Sequence, residues 1–341
     1  MVYSSSAFLA ERSSHFGSGV YFLKRHLFRL LLGLVALIIC EKIDYRIWRR
    51  LSKPLLLFGI LLLVVVFLTG REVHGTRRWL RLSFLSIQPS ELVRLFLIVY
   101  LASFLSKNRE RIKKFSRITP SFLLIGLITS LILLQPNFGT AFALLSIAFL
   151  LLFVGGARIS HLTLVGLCGL ATFFLLTFRV PYAQSRVFSF LKGGGYQIER
   201  SLLGVGAGGI FGAGLGTGRE KLLFLPEPHT DFIFATLAEE LGFLGGGILF
   251  FLYLLLFYRG FQIARKTLDP FGSLLAFGLI LSIFIYVFLH IGVVLGVLPT
   301  TGLPLPFISF GGTALLVNLI SIGILLNISK SANSRQLAAV S

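Results

Sequence analysis

The sequence predicts an all-α polytopic membrane protein, and three observations carry that prediction. Hydrophobic residues make up 55% of the chain and charged residues only 13%, where a soluble domain carries about a quarter of its residues charged. Mean hydropathy is +0.89, and the apolar residues lie in long blocks with charge confined between them, the signature of helices in hydrocarbon. The blocks lack period-two alternation and exceed the length of a barrel strand. A bilayer requires each backbone group to be paired within its own segment or in a closed barrel, so helices follow.

Nine blocks succeed one another, at 27–41, 54–69, 91–105, 119–134, 139–156, 160–178, 232–258, 271–297 and 312–328. Between the first and second lies a basic loop, 42–53, with Lys42, Arg46, Arg49, Arg50 and Lys53. The third and fourth blocks are short for a crossing of about 20 residues, so tilt or adjoining semi-polar residues must complete them. The loop between them, 106–118, carries Lys107, Arg109, Arg111, Lys113, Lys114 and Arg117. Only Gln135-Pro136-Asn137-Phe138-Gly139 separates the fourth block from the fifth, a tight turn by its proline and glycine. Arg259, Arg265 and Lys266 follow the seventh block, and Lys330 and Arg335 follow the ninth.

This distribution orients the chain. Basic short loops face the cytoplasm, which puts 42–53, 106–118 and the C-terminus inside and 1–26, 70–90, 179–231 and 298–311 outside. Nine crossings then leave the N-terminus outside, with no signal peptide to take it there. One membrane domain spans 1–341, with a large glycine-rich extracytoplasmic loop at 179–231. The net charge of +19 serves topology and contact with anionic lipid rather than nucleic acid. Cys40 and Cys168 sit in apolar blocks and form neither a disulfide framework nor a metal site.

Three external segments carry chemistry. In 70–90, Arg77, Arg78 and Arg81 flank Trp79. Guanidinium groups suit a phosphate headgroup; equally, Trp79 marks the interface and the arginines snorkel. Gln88 precedes Glu91 and Arg94, three apart at a helix start and suited to pairing. In 179–231, Arg186 precedes a run with glycine at 204, 206, 208, 209, 212, 214, 216 and 218. That density permits close approach to a ligand or to another helix, but no Gly-Lys-Ser/Thr follows, so it is not a nucleotide loop. Next come Arg219, Lys221, Glu227, His229 and Asp231. Asp231 stands where a helix begins, as a cap or as a base. Glu239 and Glu240 follow within apolar surroundings, where ionisable groups face a cavity or pair in the bundle. In the third segment Pro299, Pro304 and Pro306 forbid a continuous helix, and an interfacial or re-entrant hairpin ending near Ser309 fits. His290 precedes it, as a cavity residue or a satisfied bundle histidine.

Read together, these motifs resemble the SEDS family (shape, elongation, division and sporulation), and the FtsW division branch more than the RodA elongation branch. The resemblance rests on Gly75-Thr76-Arg77-Arg78-Trp79, Gln88-Pro89-Ser90-Glu91, Gln135-Pro136-Asn137-Phe138-Gly139-Thr140 and Tyr196-Gln197 with the glycines at 204–218. It continues through Leu225-Pro226-Glu227-Pro228-His229-Thr230-Asp231-Phe232-Ile233-Phe234, Glu239-Glu240-Leu241-Gly242 and the whole of 296–312. Nearly the full chain is covered in order. Departures are Asn137, Arg94 and His290, where the family usually has Asp, Lys and Asn, and Gln197-Ile198-Glu199-Arg200-Ser201, which differs from the usual glutamine-rich form.

The resemblance implies a peptidoglycan glycosyltransferase of the bacterial inner membrane, acting at the division septum, with ten helices and both termini cytoplasmic. It implies lipid II and polyprenyl-pyrophosphate-linked glycan as substrates, and a class B penicillin-binding protein and other divisome membrane proteins as partners. Asp231 becomes the catalytic base. Arg77, Arg78, Trp79, Arg186, Arg219, Lys221, Glu227, His229 and Ser309 become substrate-binding candidates, with or without a divalent cation, magnesium or manganese. Gln88, Glu91, Gln135, Glu239, Glu240 and His290 are structural or cavity candidates. The opening Tyr3-Ser4-Ser5-Ser6-Ala7 resembles the outer end of the family's first helix, so an upstream segment of about 20 apolar residues is expected. Two other readings use the same residues: a lipid-linked precursor flippase, for which no inverted repeats or broken central helices are visible in the sequence, and a scaffold for the transpeptidase.

Overall fold

A computed structural model describes residues 1–6, 20–73, 76–82, 85–179, 181–191, 193, 195–218 and 229–340. A short helix over 2–6 is followed by α1 (Tyr21–Lys42), α2 (Arg46–Thr69), β1 (Arg71–Val73), β2 (Thr76–Leu82), β3 (Leu85–Ile87), α3 (Pro89–Lys107) and α4 (Phe115–Leu133). Then come α5 (Phe138–Val154), α6 (Ile159–Arg179), α7 (Pro181–Leu191), α8 (Gly195–Ala207), α9 (Ile233–Lys266), α10 (Pro270–Val294) and α11 (Gly312–Val340).

Each of the nine apolar blocks falls on a helix. Among the described residues six helices are long and apolar enough to cross a membrane: α2, α3, α4, α9, α10 and the 312–332 part of α11. α5 and the apolar part of α6 are shorter, and α1 carries Lys24, Arg25 and Arg29 in its first turns. Two of the segments between blocks carry secondary structure of their own. The 70–90 segment is a three-stranded antiparallel sheet in the order β1-β2-β3, with Glu72 opposite Arg77 and Arg81 opposite Ser86. Thr76, Trp79 and the apolar positions of β2 suit a pleated, half-buried surface. The 179–231 loop is largely helical in its first half, through α7 and α8.

The chain forms two compact units. The larger comprises 34–184, 257–282 and 317–341. At its centre lies α3, which is buried on nearly every side, as expected of a helix without a polar face. Small residues let its neighbours close in: a Cβ on Gly59 would stand 2.9 Å from Val93, and one on Gly278 2.6 Å from Ile98. The expected Glu91–Arg94 contact is present at 3.1 Å with both side chains 1% exposed, and Arg94 also donates to Asn318 Oδ1 at 2.9 Å. At one end of this unit the Tyr45 backbone N–H donates to Asn327 Oδ1 (2.9 Å), Asn327 Nδ2 donates to the Glu41 carbonyl (2.8 Å), and Lys330 pairs with Glu41 (2.6 Å).

The smaller unit comprises 1–33, 185–256 and 283–316. Its core gathers Phe232, Ile233, Tyr253, Val287, Val294 and Leu305. α9 is broken here: Gly242 has φ 69° and ψ −170°, so helical hydrogen bonding lapses for a turn. The glycine segment after α8 fills the gap. Ala213 and Gly214 N–H donate to the Glu239 and Glu240 carbonyls (2.9 and 3.0 Å), and Phe243 and Leu244 N–H donate to the Gly209 and Ile210 carbonyls (2.9 and 3.1 Å). This splice satisfies the backbone groups that a broken helix would orphan in hydrocarbon. It also requires the glycines: a Cβ on Gly208 would come within 2.0 Å of the Ala238 carbonyl, and one on Gly212 within 2.2 Å of the Glu240 carbonyl.

Candidate active site

The site is built around Asp231, within the smaller unit. The chain turns at 229–232 immediately before α9, leaving Asp231 half-buried beside the helix start. That turn is clamped by the proline-rich segment. The Phe310 N–H donates to the His229 carbonyl (2.9 Å), and Ser309 Oγ donates to the Thr230 carbonyl (2.7 Å) while accepting from the Leu305 N–H (2.8 Å). Tyr253 donates its buried hydroxyl to the Pro306 carbonyl. These contacts hold Phe307 at φ 67°, a left-handed conformation unusual for a residue with a Cβ. On the other side of the turn the His229 ring packs against Phe22 and Phe310, at centroid distances of 4.9 and 5.8 Å.

Asp231 lines a small cavity of about 30 Å³ with Arg186, Gln197, His290, Thr300 and Gly302. Arg186, Gln197 and Thr300 also wall a wider cleft of about 200 Å³ formed with Ser185, Ser189 and Tyr196. Arg186, Gln197 and Thr300 are thus walls common to the carboxylate's cavity and the wider cleft. Arg186 is oriented by donating Nη1 to the Thr300 carbonyl at 2.9 Å. Gly302, at φ 68°, brings its backbone so near that a Cβ would stand 3.4 Å from Asp231 Oδ2. His290 is 1% exposed, and its Nδ1 lies 2.8 Å from the Leu303 carbonyl. A carbonyl only accepts, so Nδ1 carries the hydrogen and the neutral ring presents Nε2 as an acceptor. Nε2 is buried and makes no hydrogen bond among the described residues.

The structure thus brings together Asp231, Arg186 and His290, with His229 and Ser309 positioning the turn. Arg219, Lys221 and Glu227 lie outside the described residues. Glu239 and Glu240 sit at the α9 break, buried; Glu240 Oε1 accepts from Ser4 Oγ at 2.5 Å. The remaining candidates belong to the larger unit. Arg78 donates Nε to the Gln135 carbonyl (3.0 Å) and Nη2 to the Pro136 carbonyl, holding the turn between α4 and α5. Gln135 is buried and donates Nε2 to the Leu63 carbonyl at 3.2 Å. Arg77 is exposed, while Trp79 and Gln88 are half-buried.

Gln197, Thr300 and Gly302 as cavity walls, and Arg29, were not foreseen from the sequence. That side chain is 9% exposed, with its guanidinium 5.0 Å from the Phe310 ring centroid and against Gly312. A signal was available: Arg25 and Arg29 stand four apart, on one face, where the first apolar block begins. No three of His, Cys, Asp and Glu cluster as metal ligands among the described residues. A divalent cation here would depend on Asp231 and on oxygens from a substrate, a donor set that suits magnesium.

Residues 1–334 match the family model described as cell cycle protein, covering FtsW, RodA and SpoVE. The chain is 41% identical over 339 residues to the stage V sporulation protein E of Bacillus subtilis, covering 97% of this chain and 92% of that protein. It is 41% identical over 338 residues to the probable peptidoglycan glycosyltransferase FtsW of Geobacter metallireducens, covering 96% and 90%. Among solved structures, a chain from a peptidoglycan synthase complex that coordinates polymerization and crosslinking superposes with a TM-score of 0.78 at 31% identity, covering 97% of this chain and 95% of that one. The crystal structure of Thermus thermophilus RodA gives 0.71 at 30% identity, covering 96% and 93%.

Proposed function

The chain belongs to the SEDS family of FtsW, RodA and SpoVE cell cycle proteins, and on that footing we propose that it is a peptidoglycan glycosyltransferase polymerising lipid II into glycan strands during bacterial cell division. The observation that carries this reading is the clamped Asp231 carboxylate in a small cavity it shares with Arg186, which also walls the wider cleft. In the proposed reaction the GlcNAc 4-hydroxyl of incoming lipid II attacks C1 of the MurNAc at the reducing end of the growing glycan. The new C–O bond forms as the bond to the polyprenyl pyrophosphate breaks, with inversion at that carbon. Asp231 takes the hydroxyl proton, and the pyrophosphate leaves with the bonding pair.

Arg186 is the described cation placed to stabilise the developing charge on the pyrophosphate, where a preorganised donor in a restricted site acts most strongly. Arg219 and Lys221, in the segment leading to Asp231, are proposed for the same role, with magnesium or manganese as an additional counter-charge. His290 Nε2 supplies an acceptor for a water or substrate hydroxyl in the small cavity. Likeness to a chain from a synthase complex that couples polymerization with crosslinking supports a partner transpeptidase of the class B penicillin-binding type. Placement in the bacterial inner membrane at the septum, with a cytoplasmic C-terminus, completes the reading.

A flippase has one observation in its favour, the helix break at Gly242 beside buried Glu239 and Glu240, since broken helices mark many transport sites. The carbonyls exposed by that break are taken by Ala213 and Gly214, so they do not face a transported substrate. Polymerisation by the purified protein with its partner tests the proposal. Asp231→Asn should lower the rate by about 10²–10⁴-fold, the range typical of a lost general base, with melting unchanged. Normal polymerisation by that variant removes Asp231 from the chemistry. Precursor crossing vesicle membranes without any polymer identifies the flippase instead.

A further inference from the structure

We propose that the larger unit holds a binding site for the phosphodiester headgroup of an anionic phospholipid, between the ends of α9 and α11. A cavity of about 230 Å³ is lined there by Arg259, Gln262, Ile263 and Lys266 of α9 and by Ser329 and Ala332 of α11. The α9 residues are spaced i, i+3, i+4 and i+7, so they form one helix face turned toward a neighbouring helix. Such a face is ordinarily apolar; here it carries two cations and an amide.

Neighbouring carboxylates are committed elsewhere. Glu41 pairs with Lys330 at 2.6 Å. Asp269 accepts from the Tyr45 hydroxyl at 3.0 Å and from the Gly272 N–H at 3.3 Å. Burial pushes the Tyr45 phenol up, reinforced by Asp269, so it remains a donor to that carboxylate. Neither Arg259 nor Lys266 forms an ion pair among the described residues. Their Cα atoms stand about 10 Å apart along the axis, a separation two long side chains can close around one phosphate.

The cavity also has the amphipathic form of a lipid headgroup site. Ile263 and Ala332 supply an apolar floor, Gln262 and Ser329 supply further polar groups, and Tyr258 is 55% exposed one turn away, where an interfacial aromatic belongs. Several water volumes of about 30 Å³ each fit inside, enough for a phosphate with part of its glycerol. By the charge bias of loops 42–53 and 106–118 this end faces the cytoplasm, where the anionic leaflet supplies such headgroups.

Native mass spectrometry of the purified full chain in detergent tests the site, with dioleoyl phosphatidylglycerol, dioleoyl phosphatidylcholine and inorganic phosphate as probes. Phosphatidylglycerol should be retained in preference to phosphatidylcholine and should not be displaced by inorganic phosphate. Arg259→Gln/Lys266→Gln should bind it roughly thirtyfold more weakly, each cation near an anionic headgroup contributing about fivefold. Ser329→Trp, which fills the cavity and keeps both charges, should weaken binding as well, and Lys113→Gln/Arg117→Gln, at exposed positions just before and at the start of α4, should not. Equal retention of the two lipids, displacement by inorganic phosphate, undiminished binding by the cavity variants, or equal loss in the Lys113→Gln/Arg117→Gln variant would each overturn the proposal.

Discussion

Replacing Gly242 by alanine attacks the splice that holds the floor of the smaller unit together. Its backbone lies at φ 69°, ψ −170°, a region in which strain on any residue with a Cβ is about 1–3 kcal/mol. The added methyl would stand 2.3 Å from Gly212 N and 2.5 Å from the Ile210 carbonyl oxygen. Those are backbone atoms and cannot rotate aside, so the 208–214 segment must retreat. Four inter-segment hydrogen bonds of 2.9–3.1 Å depend on its position. Losing two of them removes about 1–3 kcal/mol at the usual net value, and orphaned groups in hydrocarbon cost more. The sum is about 2–6 kcal/mol, which at roughly 2–4 °C per kcal/mol for a large domain is a fall of order ten degrees in melting temperature. The assay is thermal unfolding of the purified protein in detergent at one fixed scan rate, because chains of this kind unfold irreversibly. Gly206→Ala is the control: it lies in α8 with nothing within 4 Å of a new Cβ, and should melt at the same temperature or slightly higher. An unshifted melting curve for Gly242→Ala would refute the account of the splice.

Two further outcomes are expected in the larger unit. Arg94→Met leaves Glu91 buried without its 3.1 Å partner and should destabilise by about 3–5 kcal/mol, while Glu91→Leu/Arg94→Met should recover most of the loss; equal melting of the single and double variants would show that the pair is not coupled. Arg78→Ala removes two charge-assisted bonds to the 135–136 turn and should lower stability by about 2–4 kcal/mol. A raised KM for lipid-linked substrate at unchanged melting would instead return Arg78 to a substrate role.

Much of the architecture was legible because it depends on local composition. A run of apolar residues long enough to cross a bilayer has few alternatives to a helix, so each of the nine blocks from 27–41 to 312–328 lies on one. Glu91 and Arg94 were readable as neighbours for the same reason, since three residues make less than a helical turn. Asp231 was reached through a resemblance spread over the whole chain, whereas its immediate residues allowed a cap as readily as a base. Elsewhere the deciding partner is distant in sequence. The strands at 71–87 carry too few residues to stand out against a basic, tryptophan-marked interface. The glycines at 208–214 read as generic close packing until the break at Gly242, some thirty residues later, shows which backbone they must meet. Ser309 and Phe310 clamp the Asp231 turn across nearly eighty residues, and Arg29 finds Phe310 across a still longer separation. Hydropathy is a property of a segment and is fixed by the segment alone; a hydrogen bond between two loops, or the wall of a cavity, exists only after folding has chosen which distant groups stand together.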